Sequence, residues 1–462
     1  MYYALNSMLI ICLILILLVE FFISSHVQFT LWPEMVLYPW LHNNGFHLYR
    51  DIINPYFPML TWILGGVTKI FGYDLKVFIY FTWGYILLTQ IIFVAMTQKL
   101  FYSKKITIMA FLLYAALLTI FEGNSLWFDL FCTLPLLGAY YYLAKKENRQ
   151  KYLIAGIFLG LGVLIKQTVI WTIIFLIIYQ LILRLLKTLN TKKLIINTLS
   201  LISPIALMVI GTGLILYFQG IFKDFVFWSI KLPFGSLQKT SGFVEWPTRR
   251  NIFVMLFSFW PVIFFLPKIV KDNRLILALV FFLATFLFAF PRFGYFHLVV
   301  AAMFFSIIAG KFLIERSKFS MIYGAIILVL VSMTIKRSMP FSVRFFNKDT
   351  YMLAQKIEQQ TKGDKFFVQN APQQIYFINN IIPPRPWAIN FPWYFENTGL
   401  QTRVIRALKE EKIKWIVFEK YQQNKNKFVP GTYRPEKLQQ YLDKEYIISQ
   451  EINSNILLLH EK

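Results

Sequence analysis

The residues that could do chemistry lie in short polar segments between long apolar runs. The acids lie in two of the earlier polar segments, at Glu34, Asp51, Glu122 and Asp129. The later segments hold cationic and amide side chains, at Lys166, Gln167, Arg292 and His297. A carboxylate can accept a proton from a hydroxyl group, and cations that face it can hold a phosphate. This combination is what a transfer reaction with a phosphate leaving group needs.

Each of these residues also has a structural explanation. Glu34 and Asp51 could be solvated loop acids, and Asp129 could be a charge that stabilises a helix N-terminus. Lys166 could extend its ammonium group from a helix end towards water. Arg292 and His297 could be ordinary boundary residues. Their joint occurrence at helix ends on one predicted face of the protein favours the functional interpretation.

The elements that must position these residues are membrane helices. Hydrophobic residues make up 57% of the chain and charged residues only 15%, which is too few charges for the surface of a soluble domain of this size. Apolar runs such as Met8–Glu20 and Ile154–Val163 are long enough, with their flanks, to cross a bilayer. We predict a polytopic α-helical membrane protein with about eleven transmembrane helices. The first run lacks a basic start and a small-residue cleavage site, so it is interpreted as a retained helix.

The positive charge indicates which side of the membrane each gap faces. The net charge is +24, and 17 Lys or Arg against three acids lie in five short gaps: Gln98–Lys105, Lys145–Lys151, Arg184–Lys193, Pro267–Arg274 and Lys311–Lys318. This distribution follows the positive-inside rule and argues against a nucleic-acid-binding stripe, so nucleic acid is not a predicted partner. The N-terminus is predicted to be cytoplasmic and the protein to reside in the plasma or inner membrane.

The remaining gaps then face outward. They are Ser25–Tyr56, Glu122–Asp129, a tight turn near Lys166, Gln219–Arg250 and Phe290–His297. The apolar stretch Pro58–Gly72 is short and interrupted by two glycines, and we predict that it lies at the interface rather than crossing.

The character of the chain changes near residue 337. Strand-length apolar runs follow at Phe366–Gln369, Ile375–Ile378, Trp415–Phe418, Tyr446–Ile448 and Ile456–Leu459. Amphipathic patterns at Asp349–Gln360 and Leu400–Lys412 predict helices between them. The alternation predicts two domains: a membrane module over residues 1–336 and a small extracytoplasmic α/β domain over residues 337–462.

An ordered series of motifs carries a family resemblance. The series is Pro33-Glu34, Gly45-x3-Tyr49-Arg50-Asp51-x6-Pro58, Phe71-Gly72, Gly123-Asn124, Trp127-x-Asp129, Gly156-x3-Gly160-x5-Lys166-Gln167 and Pro291-Arg292-x2-Tyr295-x-His297. In this order the chain resembles the GT-C glycosyltransferases, in the bacterial family 39-like branch related to protein mannosyltransferases and the lipid A aminoarabinose transferase. Gly156 and Gly160 also have a structural explanation, since small residues four apart let membrane helices pack closely.

The resemblance implies an inverting glycosyltransferase. Its donor is a polyprenyl-phosphate-linked sugar, and its acceptor is a glycan, a lipid or a protein outside the cytoplasm. Glu34 corresponds best to the general base, with Asp51 second, although the family's usual Asp-Glu pair is absent from the first outer loop. Glu122 and Asp129 are assigned to positioning the acceptor or the base. The residues assigned to binding the donor phosphate are Lys166, Gln167, Arg292 and His297.

A metal cofactor is not favoured. Some GT-C members use a divalent ion and others do not, and this sequence has no Asp-x-Asp triplet. His26, His42 and His47 are irregularly spaced, and the two cysteines, Cys12 and Cys132, lie in apolar surroundings. We therefore do not favour a metal site, and a divalent ion stays an open alternative.

Three other functions remain open. A transporter or flippase for a lipid-linked sugar would need the same phosphate-binding cations but no base. A polysaccharide polymerase or ligase would use similar substrates without the C-terminal α/β domain, and a receptor would bind envelope glycans through that domain. Two related halves or broken midplane helices, which are typical of transporters, are not evident in the sequence, and the polar residues gather on one predicted face rather than at mid-depth.

Overall fold

The computed structural model describes every residue except 1, 146–149, 236–242, 316, 390, 397–398 and 423–430. The chain divides into two compact units, each assembled from three segments. Unit 1 comprises Met1–Thr30, Phe78–Thr212 and Trp246–Ser342, and unit 2 comprises Leu31–Val77, Gly213–Glu245 and Val343–Lys462. The last change from unit 1 to unit 2, between Ser342 and Val343, lies close to the predicted domain boundary after residue 336. Unit 2 also includes two earlier segments.

Long apolar helices form most of unit 1. Their bounds are Tyr2–His26, Leu75–Phe101, Lys104–Ile120, Phe128–Ala144, Lys151–Ile165, Ile170–Leu185, Thr191–Phe218, Arg249–Phe259, Pro261–Ile269, Asn273–Phe286, Val299–Glu315 and Ser317–Ser338. The described part of the chain contains six helices long and apolar enough to cross a membrane, and five shorter apolar ones. The predicted polytopic membrane fold is confirmed. Met59–Phe71, which lies within Pro58–Gly72, is one of the shorter helices.

Glycines let the helices of unit 1 approach one another. A Cβ atom on Gly156 would collide with the Leu201 carbonyl oxygen, and one on Gly160 would lie 2.7 Å from Met208 Sδ. Both contacts are with the helix Thr191–Phe218. In the same way, a Cβ atom on Gly310 of the buried helix Val299–Glu315 would lie 2.7 Å from Ala110 Cβ. Backbone contact of this kind is typical of membrane helix packing, so packing explains the first two glycines.

The five basic gaps meet at one end of unit 1. Arg274 Nη1 donates to the Leu100 carbonyl at 2.5 Å, and Lys311 Nζ lies 2.9 Å from Asp272 Oδ2. Side chains from the other gaps, Lys145 and Thr188 among them, line one cavity together with Arg274. The helix Phe128–Ala144 begins next to Asp129 and ends beside Lys145, so the acid and the basic gaps lie at opposite ends.

Unit 2 contains a four-stranded sheet. The strand order is Phe366–Gln369, Trp415–Glu419, Ile456–Glu461 and Tyr446–Glu451, with the first pair parallel and the other two pairs antiparallel. The helices of unit 2 are Pro33–Asn43, Met59–Phe71, Phe222–Val226, Leu232–Phe234, Lys348–Thr361, Ile375–Ile378, Pro392–Glu396, Leu400–Glu410 and Glu436–Glu445, with a π-helix at Phe227–Lys231. Four of the five predicted strands and both predicted amphipathic helices are thus confirmed.

The prediction of a strand at Ile375–Ile378 was wrong. This segment is a short helix. The Tyr376 hydroxyl accepts a hydrogen bond from the Val368 N–H at 2.7 Å, and the Tyr376 ring stacks on Phe366. The segment therefore covers the free edge of Phe366–Gln369 and does not add a strand to it, which protects an edge that would otherwise expose unpaired backbone groups.

Three further short strands are present. They are Phe29–Leu31, Ser125–Leu126 and Val343–Arg344. Within unit 1 the Thr30 N–H donates to the Asn124 carbonyl at 3.0 Å, which joins the end of the first helix to the loop before Asp129.

Candidate active site

A buried cluster of Asp129, Lys166 and His297 lies in unit 1. Lys166 Nζ is 2.8 Å from Asp129 Oδ1 and 2.7 Å from Oδ2, so the ammonium group bridges both carboxylate oxygens. His297 Nδ1 lies 2.8 Å from Asp129 Oδ2 and 3.2 Å from Lys166 Nζ. The side chain of Asp129 is fully buried and that of Lys166 is 5% exposed. A buried charge pair with these contacts is tightly held, because separating it would leave an unpaired charge away from water.

Three helix ends bring these residues together. Asp129 is the second residue of Phe128–Ala144, where the helix dipole favours a negative charge. Lys166 caps the C-terminus of Lys151–Ile165 in an extended conformation, and its N–H donates to the Gly162 carbonyl at 2.9 Å. His297 lies in the 3-10 turn Tyr295–Leu298 that leads into Val299–Glu315. The cluster thus joins segments that are 37 and 131 residues apart in the sequence.

The other predicted site residues of unit 1 are close in the sequence to members of this cluster. Gln167 begins the 3-10 turn after Lys166 and is half-buried. Arg292 is also half-buried, and it is close enough to His297 for the two charges to interact. Glu122 adopts a left-handed backbone conformation, with φ of 53°, in the turn after Lys104–Ile120. Arg292 adds positive charge near an otherwise compensated ion pair.

Glu34, the predicted base, lies in unit 2 and is also buried. It is the second residue of Pro33–Asn43, and the whole residue is 3% exposed. Its Oε2 atom has no hydrogen-bond partner among the described residues. Burial raises the pKa of the Glu34 carboxyl to about 7, against a smaller lowering by a hydrogen bond from its own backbone N–H. A carboxyl group with this pKa can exchange a proton near neutral pH.

Asp51, the second predicted base, has several polar partners. Its Oδ2 atom accepts a hydrogen bond from the His47 N–H at 2.9 Å and lies 3.2 Å from His47 Nδ1. Arg50 Nε is 3.6 Å from Oδ1, and Arg385 Nη1 is 3.9 Å from Oδ2. The backbone carbonyl of Asp51 accepts from the Trp387 N–H at 2.7 Å. These contacts hold the loop around Asp51 against the segment that contains Arg385.

Some residues of these surroundings carried no recognisable signal in the sequence. Arg403 donates to the Arg50 carbonyl at 2.6 Å, and Asp224 interacts electrostatically with Arg403, Arg50 and Asp51. Burial raises the pKa of Asp224, and the two arginines lower it in part. Arg403 and Asp224 reach the loop around Asp51 from distant segments of the chain. Of the residues near Asp51 that the sequence analysis did not select, only Arg385 had a recognisable signal, its position in a Pro-rich turn.

A divalent cation does not fit the Asp129 cluster. The Lys166 ammonium already contacts both the carboxylate and the imidazole that would serve as ligands, and it repels a second cation. Among the described residues no group of three or more His, Cys, Asp and Glu side chains is arranged to hold a metal.

Comparison with known proteins identifies the fold. Residues 54–211 match the family described as dolichyl-phosphate-mannose-protein mannosyltransferase. The chain is similar to ArnT from Cupriavidus metallidurans bound to undecaprenyl phosphate, with a TM-score of 0.60 at 10% identity over 97% of both chains. The apo state of ArnT gives 0.61 at 11% identity over 98% of both. No curated protein matches the chain significantly by sequence.

A second protein of known structure extends this similarity. It is the archaeal oligosaccharyltransferase AglB from Archaeoglobus fulgidus, in complex with an inhibitory peptide and a dolichol-phosphate. The TM-score is 0.55 at 12% identity, and the match covers 97% of this chain and 74% of AglB. The resemblance to the GT-C glycosyltransferases is thus confirmed at the level of the fold: the chain is a multi-pass membrane protein with the GT-C fold.

Proposed function

We propose that this GT-C-fold protein is a glycosyltransferase that moves a sugar from a polyprenyl-phosphate-linked donor to an acceptor outside the cytoplasm. The fold supports the proposal, because two of the similar solved structures contain a polyprenyl phosphate: undecaprenyl phosphate in ArnT and dolichol-phosphate in AglB. The partial family match to a transferase that uses a dolichyl-phosphate sugar supports the same donor class. The acceptor is a glycan, a lipid or a protein.

The reaction would proceed by inversion at the anomeric carbon. An acceptor hydroxyl oxygen forms a bond to that carbon, while the bond from the carbon to the phosphate oxygen breaks. The hydroxyl proton passes to the base, and the electron pair of the broken bond leaves with the polyprenyl phosphate. A carboxylate base and a cationic phosphate site are the two groups that this reaction requires.

Glu34 carries the mechanistic part of the proposal. It is a buried carboxyl with a pKa of about 7 and an oxygen that accepts no hydrogen bond from the described residues. Asp51 is a weaker candidate because His47, Arg50 and Arg385 already surround its carboxylate. We assign Asp51 to holding the first outer loop in place.

The cations of unit 1 would bind the donor phosphate. Two N–H groups of Lys166 are used by Asp129, so its charge is largely compensated within the cluster. Arg292 and His297 then supply the additional donors, and an arginine can bind two phosphate oxygens at once. In this assignment Asp129 positions Lys166 and His297, while Gln167 and Glu122 complete the polar surroundings.

The proposed location is the plasma or inner membrane, with the N-terminus in the cytoplasm and the C-terminal sheet outside. The gathering of the basic gaps at one end of unit 1 supports this orientation. The Asp129 cluster, at the opposite ends of the same helices, would then lie at the outer face.

The test compares envelope glycans and glycolipids by mass spectrometry in cells with and without the gene. We expect one sugar to be missing without the gene and to return with the wild-type protein. Glu34→Gln should not restore it, although the variant should still bind the polyprenyl-phosphate donor. The matched control is Glu358→Gln, which changes an exposed glutamate of unit 2 and should restore the sugar fully.

The same variants separate the alternatives. A transporter or flippase needs the phosphate-binding cations but no base, so Glu34→Gln would leave its activity intact. Full restoration of the sugar by Glu34→Gln would therefore contradict base catalysis at this residue. An unchanged set of surface sugars without the gene would contradict the transferase proposal itself.

A further inference from the structure

The polar cavity lined by the basic gaps lies in unit 1, at the end opposite the Asp129 cluster. Its volume is about 1250 Å³. Six basic side chains line it: Lys145, Lys151, Lys268, Lys271, Arg274 and Lys311. They come from three of the five basic gaps and from the helix ends beside them. We refer to this space as the basic cavity.

The basic cavity has an excess of positive charge. Only two carboxylates, Asp272 and Glu315, stand among its described lining residues against the six cations. Lys268 pairs with Glu315 at 2.6 Å, while Arg274 and Lys311 share Asp272 at 2.8 and 2.9 Å. Burial raises the pKa of Asp272, but hydrogen bonds from Arg274 and Lys311 outweigh it and hold the pKa well below its ordinary value. Asp272 is therefore ionised, and the remaining excess is still positive.

Two lysines of the cavity make no ion pair with a described residue. Lys271 is one of them. Lys145 is the other, and its ammonium group lies 4.3 Å from the centre of the Tyr141 ring. Ammonium groups without a carboxylate partner can each donate hydrogen bonds to a phosphate.

The inner wall of the basic cavity is apolar and belongs to membrane helices. Leu176, Leu201 and Phe312 line it. The same wall contains Gln180, which is 3% exposed and whose Oε1 atom has no partner among the described residues. A buried amide without a partner is costly, and a bound polar group would relieve that cost. A ligand with an anionic head and an apolar body would satisfy both parts of the cavity.

We propose that the basic cavity binds the phosphate headgroup of an anionic membrane phospholipid, with its acyl chains along the apolar wall. A phospholipid headgroup and a free phosphate ion present the same phosphate group to the lysines of the cavity. The apolar wall and a volume far larger than one phosphate favour the lipid. Basic pockets between membrane helices at the cytoplasmic face suit such headgroups. This site is independent of the transferase reaction, and the bound lipid would join the helix ends around the cavity.

The experiment uses the full-length protein in neutral detergent, after removal of its lipids. Native mass spectrometry measures binding of phosphatidylglycerol, with phosphatidylcholine as the lipid without net charge. Inorganic phosphate in large excess serves as the competitor. The cavity variant is Lys145→Gln/Lys271→Gln, and the matched control is Lys105→Gln/Lys192→Gln, which removes two lysines outside the cavity from other basic gaps.

We expect phosphatidylglycerol to bind the wild type and the control alike, and the cavity variant about 30-fold more weakly. The charge-keeping variant Lys145→Arg/Lys271→Arg should bind the lipid like the wild type. This result separates the effect of lost charge from a folding defect. Equal binding to the cavity and control variants would overturn the proposal, and so would equal binding of the two lipids. Displacement of phosphatidylglycerol by inorganic phosphate would overturn the lipid assignment and identify a phosphate-ion site.

Discussion

Glu34 and Asp129 occupy the same local position in the two units, yet their surroundings differ. Each is a buried carboxylate and the second residue of its helix. Lys166 bridges both oxygens of Asp129, whereas Oε2 of Glu34 meets no partner in the described part of the chain. A helix N-terminus alone therefore does not determine what a buried acid does. The presence or absence of a tertiary cation separates a fixed ion pair from a carboxyl that can exchange a proton.

The largest expected effect comes from Glu34→Gln. If Glu34 is the base, the transfer rate should fall about 10²- to 10⁴-fold, the usual contribution of a general base. Donor binding should change little, because the amide keeps the shape of the side chain. Rates and donor affinities of the purified protein in lipid vesicles measure this. A variant with less than a threefold change in rate would show that the two carboxylates do not differ in the way proposed.

The second prediction removes the acid of the ion pair. Asp129→Ala should destabilise the protein by about 3–5 kcal/mol, because it leaves the Lys166 charge buried without a partner. Thermal unfolding in detergent measures the loss. The double variant Asp129→Ala/Lys166→Met should recover part of it. If the double variant were as unstable as the single one, the ion pair would not be the cause.

The third prediction concerns pH and separates the two acids most directly. Below pH 4.5, the ordinary value, the Glu34 carboxyl is protonated in both the folded and the unfolded state. Between there and about pH 7 the unfolded state ionises while the folded state keeps its proton, so stability falls as pH rises. The loss is about 3 kcal/mol once pH exceeds the folded pKa.

Glu34→Gln provides the control for this pH dependence. Thermal midpoints of the variant should lack the decline between pH 4.5 and 7 that the wild type shows. The transfer rate of the wild type should rise with pH through a midpoint near 7, because the base must be ionised. Identical stability profiles of variant and wild type would argue against a raised pKa at Glu34.

The smallest effect is expected for Asp51→Asn. Its partners His47, Arg50 and Arg385 have side chains that are nearly half exposed, and exposed ion pairs contribute about 0.2–1 kcal/mol each. We expect a small loss of stability and a several-fold loss of transfer rate through a less rigid outer loop. Comparison with Glu34→Gln in the same assay checks this order. A larger rate loss for Asp51→Asn would transfer the role of base to Asp51.

Local pattern was sufficient for most of the elements. The long apolar runs and the short strands such as Phe366–Gln369 follow from periodicity and length alone. The run Ile375–Ile378 was misassigned because four apolar residues fit a strand and a helix equally well. What decided it was the contact of Tyr376 with the edge of the sheet, which no local window contains.

The candidate site divides in the same way. Residue types and their positions at helix ends were enough to select Asp129, Lys166 and His297, but not to pair them, because their separation in the sequence is large. Arg403 and Asp224 were not selected because they reach the loop around Asp51 from segments far along the chain. Charge type is local information, whereas charge pairing is tertiary.

The sequence by itself determined that this chain spans a membrane many times and which gaps share one side. Both follow from the cost of placing charged and polar groups in hydrocarbon, a cost that acts on each segment separately. The tertiary structure decided that Asp129 is neutralised by Lys166 while Glu34 is buried without such a partner. It also decided that the basic gaps enclose a cavity. These outcomes depend on which segments pack together, and that packing is not encoded in any single one of them.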